Sequence, residues 1–206
     1  MDVRLAVPAD ARAIGDLYAR AFANDPMTSW VTPDAARRTR VLRQLNTAIA
    51  RYEGIPHGAT YVAREAGAIV GAAIWQPPGA RAITRNGIPF ALVAGHALGR
   101  DMGRMIAMGR AVAAARRGTR SWYLQLLGVE PDRQGSGVGS ALVREHLRLV
   151  DEQRMTAYLE TTVENLGFYG RLGFEVIGEI GIGGGAPVEY SLWRAASGNE
   201  SSTAKG

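Results

Sequence analysis

The sequence contains no cysteine. That excludes disulfides, a cysteine nucleophile and thiolate metal sites, and it fits a reducing, cytoplasmic setting. Lysine is nearly absent too: Lys205 is the only one, so the net charge of +5 and the pI of about 10.0 rest on arginine. No apolar run approaches the ~20 residues that cross a bilayer. Asp2, Arg4 and Asp10 also break the order that a signal peptide requires, so no membrane partner is expected. His57, His96 and His146 offer no i, i+4 pair for a metal, and they are expected at the surface or in packing. No basic run is interleaved with aromatics, so no nucleic-acid partner is expected either. A basic surface suits a polyanionic small molecule.

What is present points to one globular domain over residues 1–196, with 197–206, rich in Ser, Gly and charge, as a disordered tail. Val3 to Val7 alternates like a strand, and Pro8-Ala9-Asp10 opens a helix to about Asn24. A second helix fits Asp34 to about Tyr52, with Asp34 as N-cap. Thr60 to Arg64 and Ala68 to Gln76 read as a hairpin closed by Pro77-Pro78-Gly79. Residues 88–117 form a helical insertion hinged near Gly99, with Leu98, Met102, Met105, Ile106 and Val112 on one face as core filler. Arg81 to Arg120 holds eight arginines against Asp101, expected as the solvated face of that insertion. Then come a strand (Trp122 to Val129), a helix (Val138 to Glu152), a strand (Ala157 to Thr161), a short helix (Asn165 to Arg171) and strands near Phe174 to Glu179 and Val188 to Arg194. Hairpins and helix crossovers together predict an α/β fold with a mixed sheet.

The most informative segment is Gln134-Gly135-Ser136-Gly137-Val138-Gly139-Ser140, between a strand and a helix N-terminus. Glycines there let the backbone approach a ligand and aim successive N–H groups at an anion. A P-loop would need a Gly-Lys-Ser/Thr sequence, which is absent. A dinucleotide fingerprint would need a third glycine where Ser140 stands and a shorter link from the strand, although Glu160 could serve as a ribose ligand. A glycine loop with no ligand is the third alternative.

The order Gln-x-x-Gly-x-Gly, helix, apolar strand, then Asn165 and Phe168-Tyr169-Gly170-Arg171-Leu172-Gly173-Phe174, resembles the GNAT superfamily of acyl-CoA N-acyltransferases. Trp122-Tyr123-Leu124, Pro131-Asp132 and Tyr158-Leu159-Glu160-Thr161, with Ala21 to Pro26 and Ile74-Trp75, resemble puromycin N-acetyltransferase and its relatives still more closely. The resemblance implies a mixed central sheet with a splayed strand pair, and acetyl-CoA as donor. It implies that Leu127, Gly128 and Val129 meet the pantetheine arm, and that an N–H there could hold the oxyanion of the transfer. The N–H groups from Gln134 to Ser140 would hold the pyrophosphate, and Asn165 the cofactor arm, unless Asn165 is simply a helix N-cap. Ser136 departs from the basic residue many relatives carry, so Arg133 or Arg171 would supply that charge.

The same resemblance makes Tyr169 the acid for the departing thiolate, against a core tyrosine as the alternative. A phenol protonated at neutral pH suits that task. Glu160 is the candidate base for the acceptor ammonium, against a plain surface glutamate. Trp30, Trp75 and Tyr123 are expected to line the acceptor pocket. The reading is direct transfer, in a ternary complex, to a small-molecule amine, with an antibiotic-like or aminonucleoside acceptor in view, by a monomer or homodimer. Acetylation of a protein N-terminus or lysine, or a non-catalytic acyl-CoA-binding module, are the alternatives.

Overall fold

In the computed structural model, residues 1–80, 87–116 and 120–196 are described. Strands β1 (Asp2–Leu5), β2 (Thr60–Glu65), β3 (Ala68–Gln76), β4 (Trp122–Val129), β5 (Ala157–Thr161), β6 (Glu175–Ile180) and β7 (Glu189–Arg194) form one sheet in the order β1-β2-β3-β4-β5-β7-β6. Only the β4–β5 contact is parallel, so the sheet is mixed, as expected from the sequence. Helices α1 (Ala11–Ala21), α2 (Pro26–Val31) and α3 (Ala35–Ala48) precede β2, and α4 (Gly87–Leu98) and α5 (Met102–Ala115) precede β4. Helices α6 (Val138–Glu152) and α7 (Leu166–Gly170) follow β4 and β5. Among the described residues no helix is long and apolar enough to cross a membrane.

Side chains alternate faces along a strand, and that alternation divides the core in two. Val62, Ala72 and Ile74 pack with Ile14, Leu17 and Tyr18 of α1. Ala63, Trp75, Leu124 and Leu159 turn the other way, to Leu142, Val143 and Leu147 of α6. Gly71 allows α6 to come this close: a Cβ there would lie 2.7 Å from Val138 and 2.9 Å from Leu142. Arg194, at the end of β7, grips Asp151 of α6 through two bonds of 2.7 and 2.9 Å.

Several boundaries differ from the sequence expectation. Helix α1 stops at Ala21, and a second short helix, α2, starts where Asp25 accepts from the Thr28 N–H and Pro26 occupies the first turn. Asp34 does cap α3, but the helix widens to π geometry over Ile49–Gly54. The insertion hinges over Gly99–Asp101 as expected, and Met102 and Met105 pack with Val31, Val41 and Leu98. Ile106 instead points to solvent. Of the insertion's arginines, Arg100, Arg104 and Arg110 are exposed as expected, while Arg116 is half-buried. Asp101 is buried in an ion pair with Arg37 of α3, whose guanidinium also donates to the Ala97 and Leu98 carbonyls at 2.9 and 2.6 Å. Arg104 lies over Trp30 and Arg116 over Tyr123. Arg81, Arg85, Arg117 and the 197–206 tail lie outside the described residues.

His146 of α6 is fully buried, stacked on Trp75 at 4.5 Å and edge-on to Trp122 at 4.4 Å. Burial pushes its pKa down to about 4. The unfolded chain therefore binds a proton that the folded one refuses. His146's contribution to stability is complete above an unfolded value of roughly 6.5 and falls as pH drops towards 4, by about 2–3 kcal/mol at pH ~4.5. His146→Phe keeps a ring between the two tryptophans without that charge. In urea unfolding at pH ~7 and ~4.5, the wild type should lose about 2–3 kcal/mol more than the variant; equal losses would refute the linkage.

Candidate active site

Strands β4 and β5 pair at only two positions, Trp122 with Ala157 and Tyr123 with Tyr158, and then part. This is the splayed pair expected from the resemblance. Two features separate them. The register between β3 and β4 slips at Ile74/Trp75, leaving Gln125 as an extra residue. Beyond it, the Tyr18 ring presses on Gly128, where a Cβ would lie 2.5 Å from that ring. Gly128 therefore serves close packing.

The bulge also fixes which backbone groups face the opening. Glu130 donates its N–H to Val70 of β3 at 2.9 Å. Alternation then turns the N–H and C=O groups of Leu127 and Val129 away from β3, towards β5. The Val129 carbonyl accepts from the Gln134 side chain at 3.3 Å, consistent with that direction.

The glycine loop continues from this strand. Gly135 and Gly137 have φ of 78° and 92°, and nothing lies within 4 Å of where their side chains would be. These left-handed residues turn the chain into α6, with Gly137 at its N-cap. Residues 131–137 are exposed, while the Val138 side chain is core and leaves only its N–H to a ligand. Gly139 lies against Phe168, where a Cβ would meet the ring at 3.4 Å, and Ser140 is half-buried. Ser136 hydroxyl donates to the Arg133 carbonyl at 2.6 Å. The first N–H groups of a 15-residue helix and the open glycine turns offer donors here, except that the Ser136 N–H already bonds to the Arg133 carbonyl at 3.3 Å. Such a set of donors fits a pyrophosphate, and the gap in the sheet fits an extended amide-bearing arm. Of the two arginines expected to add charge, Arg133 is engaged by Glu65 at 3.5 Å, and Arg171 is exposed beside α7.

Glu160 sits on β5 opposite Ser191 of β7, on the sheet face away from α6. Its Oε1 is buried without a hydrogen-bond partner among the described residues. Burial raises its pKa to about 7, against the opposing pull of the Tyr123 hydroxyl, Arg116 and the Tyr158 hydroxyl. Tyr158 also donates to Ser191 at 2.9 Å. Glu189 at the start of β7 is likewise raised to about 7, first by burial and then by Asp25. Asp25 is itself raised by burial, despite the N–H groups of Thr28 and Met27. On the far side of the parting, buried Tyr169 is set by edge contacts with Phe168 and Phe174. Burial holds its phenol well above the ordinary value, so it is protonated at neutral pH. Tyr169 lies close enough to Tyr18 to raise that residue too, after burial.

Tyr123 and Glu160 are thus brought together, with Tyr158 completing the group. Trp30 is half-buried and donates its Nε1 to the Gly184 carbonyl at 2.9 Å, tying α2 to the β6–β7 connection. Trp75 is a correction. It is 0% exposed in the α6 core and offers nothing to an acceptor. Asn165 is exposed at the start of α7 and makes no side-chain cap. Sequence reading missed Asp25, Glu189 and Arg116 as neighbours of this site. The Tyr158/Glu160 alternation would have found Tyr158, whereas the others arrive through long-range pairing that leaves no local signal.

Comparison with known proteins agrees with this geometry. Residues 90–176 match the family model for the acetyltransferase (GNAT) domain. Over 95% of this chain and 96% of the other, the fold superimposes with a TM-score of 0.73 and 27% identity on a structure described as histone acetyltransferase HPA2 and related acetyltransferase from Corynebacterium glutamicum. The Drosophila melanogaster polyamine N-acetyltransferase gives 0.63 and 18%, over 94% and 99% of the two chains. The ribosomal-protein-S18-alanine N-acetyltransferase of Escherichia coli gives 0.55 and 14%, over 95% and 94%. The fold is that of the GNAT acetyltransferases, residues 90–176 match their domain model, and the protein is an acyl-CoA N-acyltransferase.

Proposed function

We propose that this enzyme acetylates an amine of a cationic small molecule by direct transfer in a ternary complex, with residues 1–196 as one domain acting in the cytoplasm. The observation that carries this reading is the buried Glu160 carboxyl at the parting of β4 and β5, with its Oε1 lacking a hydrogen-bond partner among the described residues. Bound acetyl-CoA supplies the acetyl thioester. N–H groups between Gln134 and Ser140, with Ser136's own N–H engaged by Arg133, would hold its pyrophosphate, Leu127 and Val129 would hold its pantetheine arm, and Asn165 would flank that arm.

An alkyl ammonium with a pKa of roughly 10 must lose a proton before it attacks. A carboxylate at its ordinary value is a weak base for that task. Raising Glu160 to about 7 narrows the gap and makes transfer to it less uphill. Glu160 is thus the general base, and Tyr169, protonated across the working range, is the acid for the departing thiolate.

Burial raises the pKa of Asp25, Glu160 and Glu189, and an acceptor with further positive charge would favour their ionised forms, so these carboxyls favour a cationic acceptor. The polyamine acetylated by the Drosophila relative has that character. With Trp75 withdrawn into the core, the case for an aromatic acceptor weakens to Trp30 and Tyr123. An antibiotic-like or aminonucleoside amine, suggested by the resemblance to puromycin N-acetyltransferase, fits if it is cationic. The Trp30–Gly184 hydrogen bond ties α2 to the β6–β7 connection beside Trp30, and a small acceptor needs no opening of that tie.

Acetyl-CoA offered with polyamines, aminonucleosides, aminoglycosides and short peptides should yield a singly acetylated small amine, detected by thiol release and mass. Acetylation of peptides alone would overturn the acceptor class. Tyr169→Phe should lower kcat by about 10²–10⁴-fold while acetyl-CoA affinity by calorimetry is unchanged. Unchanged turnover would remove Tyr169 as the acid. For Glu160 the sign follows from its role: the base must be ionised, so kcat/KM should rise with pH through about 7. Glu160→Gln should lower kcat by about 10²–10⁴-fold and abolish that acid limb; a limb that persists belongs to another group.

A further inference from the structure

We infer that Arg116, delivered by the helical insertion, is a positioning residue that clamps the Tyr123 ring beside the Glu160 carboxyl and places its positive charge behind that ring. The inference rests on Glu160 being the base in the proposed reaction. The guanidinium carbon of Arg116 lies 3.5 Å from the centroid of the Tyr123 ring, a stacked cation–aromatic contact. Its backbone is fixed, because Arg116 is the C-cap of α5 and its N–H bonds to the Val112 carbonyl at 3.0 Å. Tyr123 is equally fixed, being almost fully buried, at the last position where β4 pairs with β5.

The insertion is docked independently, through Asp101 with Arg37 and through the packing of Leu98, Met102 and Met105 against α3. An unbroken chain of contacts thus runs from α3 through the insertion to Tyr123 and Glu160. The groups facing the Glu160 carboxyl are the Tyr123 and Tyr158 hydroxyls and Arg116, which favour its charged form, and Glu189, which opposes it. Tyr158 is held separately by Ser191, so Arg116 and Tyr123 are the pair that the insertion controls. Withdrawing the insertion would remove a positive charge and release a phenol, both of which favour protonated Glu160. The acceptor side and its base are then assembled together: with the insertion docked, Glu160 is the stronger competitor for the ionised state.

The test reads Glu160 directly, without turnover. Glutamate labelled with carboxyl ¹³C is titrated by NMR in the full chain, and the Glu160 resonance is assigned by its loss in Glu160→Gln. Arg116→Met should raise the Glu160 midpoint by about one unit. Arg116→Lys, which keeps the charge and loses the planar stack, should restore part of the shift. An unchanged midpoint in Arg116→Met overturns the inference. If Arg116→Met does not fold, as judged by near-ultraviolet circular dichroism, Arg116→Gln serves instead, because it also removes the positive charge; an unchanged midpoint there overturns the inference too. With any amine that the wild type acetylates, the acid limb of kcat/KM should move with the NMR midpoint, and KM for acetyl-CoA should not change. A shifted resonance in a protein that acetylates nothing would remove the proposed reaction and leave the clamp. Turnover whose acid limb and resonance both ignore Arg116 would remove the clamp and leave the reaction.

Discussion

The site depends on one constraint: β4 and β5 pair at two positions and then separate. A parallel pair that continued would satisfy the backbone of Leu127 and Val129 within the sheet. Parting leaves those polar groups facing an opening, an arrangement that is costly when buried and stable only if solvent or a ligand supplies partners. The separation is built from local chemistry. A bulge at Gln125 shifts the alternation of β4, and Tyr18 occupies the space that any side chain at position 128 would need. α1 thus helps to hold the sheet open from one face while α6 and α7 seal the other.

The second consequence concerns charge. Opening the sheet brings Glu160 to the surface of a cleft, yet neighbouring strands keep its carboxyl largely dry. Desolvation raises a carboxyl's proton affinity, and nearby donors lower it. At Glu160 the first effect wins, but Tyr123, Tyr158 and Arg116 keep the result near neutrality rather than far above it. A carboxyl poised there can exist in the ionised form and still draw a proton. Tyr169 follows the same physics with the opposite result, since burial of a phenol only strengthens its hold on the proton.

Much of this was legible in the sequence because it is local. The strand from Trp122 to Val129 and the helix from Val138 to Glu152 have the bounds that alternation and helical spacing indicated. The positive φ at Gly135 and Gly137 is a property those residues permit, and the pattern around them marked the loop. Trp75 shows the limit. Ile74 and Trp75 are both apolar, so the sequence does not say which of them faces α1 and which faces α6; the register of β3 against β4 decides. Arg116 shows the same limit for charge. An arginine-rich amphipathic helix reads as a solvated surface, whereas the docking of the insertion through Asp101, Leu98, Met102 and Met105 goes with its C-terminus lying over Tyr123.

That docking ties the insertion to the elements around the site, although among the described residues α4 and α5 contribute no backbone to the sheet. Their buried contacts instead converge on α2 and α3, the elements that carry Trp30 and lead into the segment bearing Glu53. Glu53 accepts from Gln125, the bulged residue of β4, at 3.3 Å. The insertion therefore touches the opening by two routes, through Arg116 on Tyr123 and through α3 towards Gln125. Both end on the short stretch of β4 where pairing stops. The insertion thus meets both Trp30, through Arg104, and Tyr123, through Arg116.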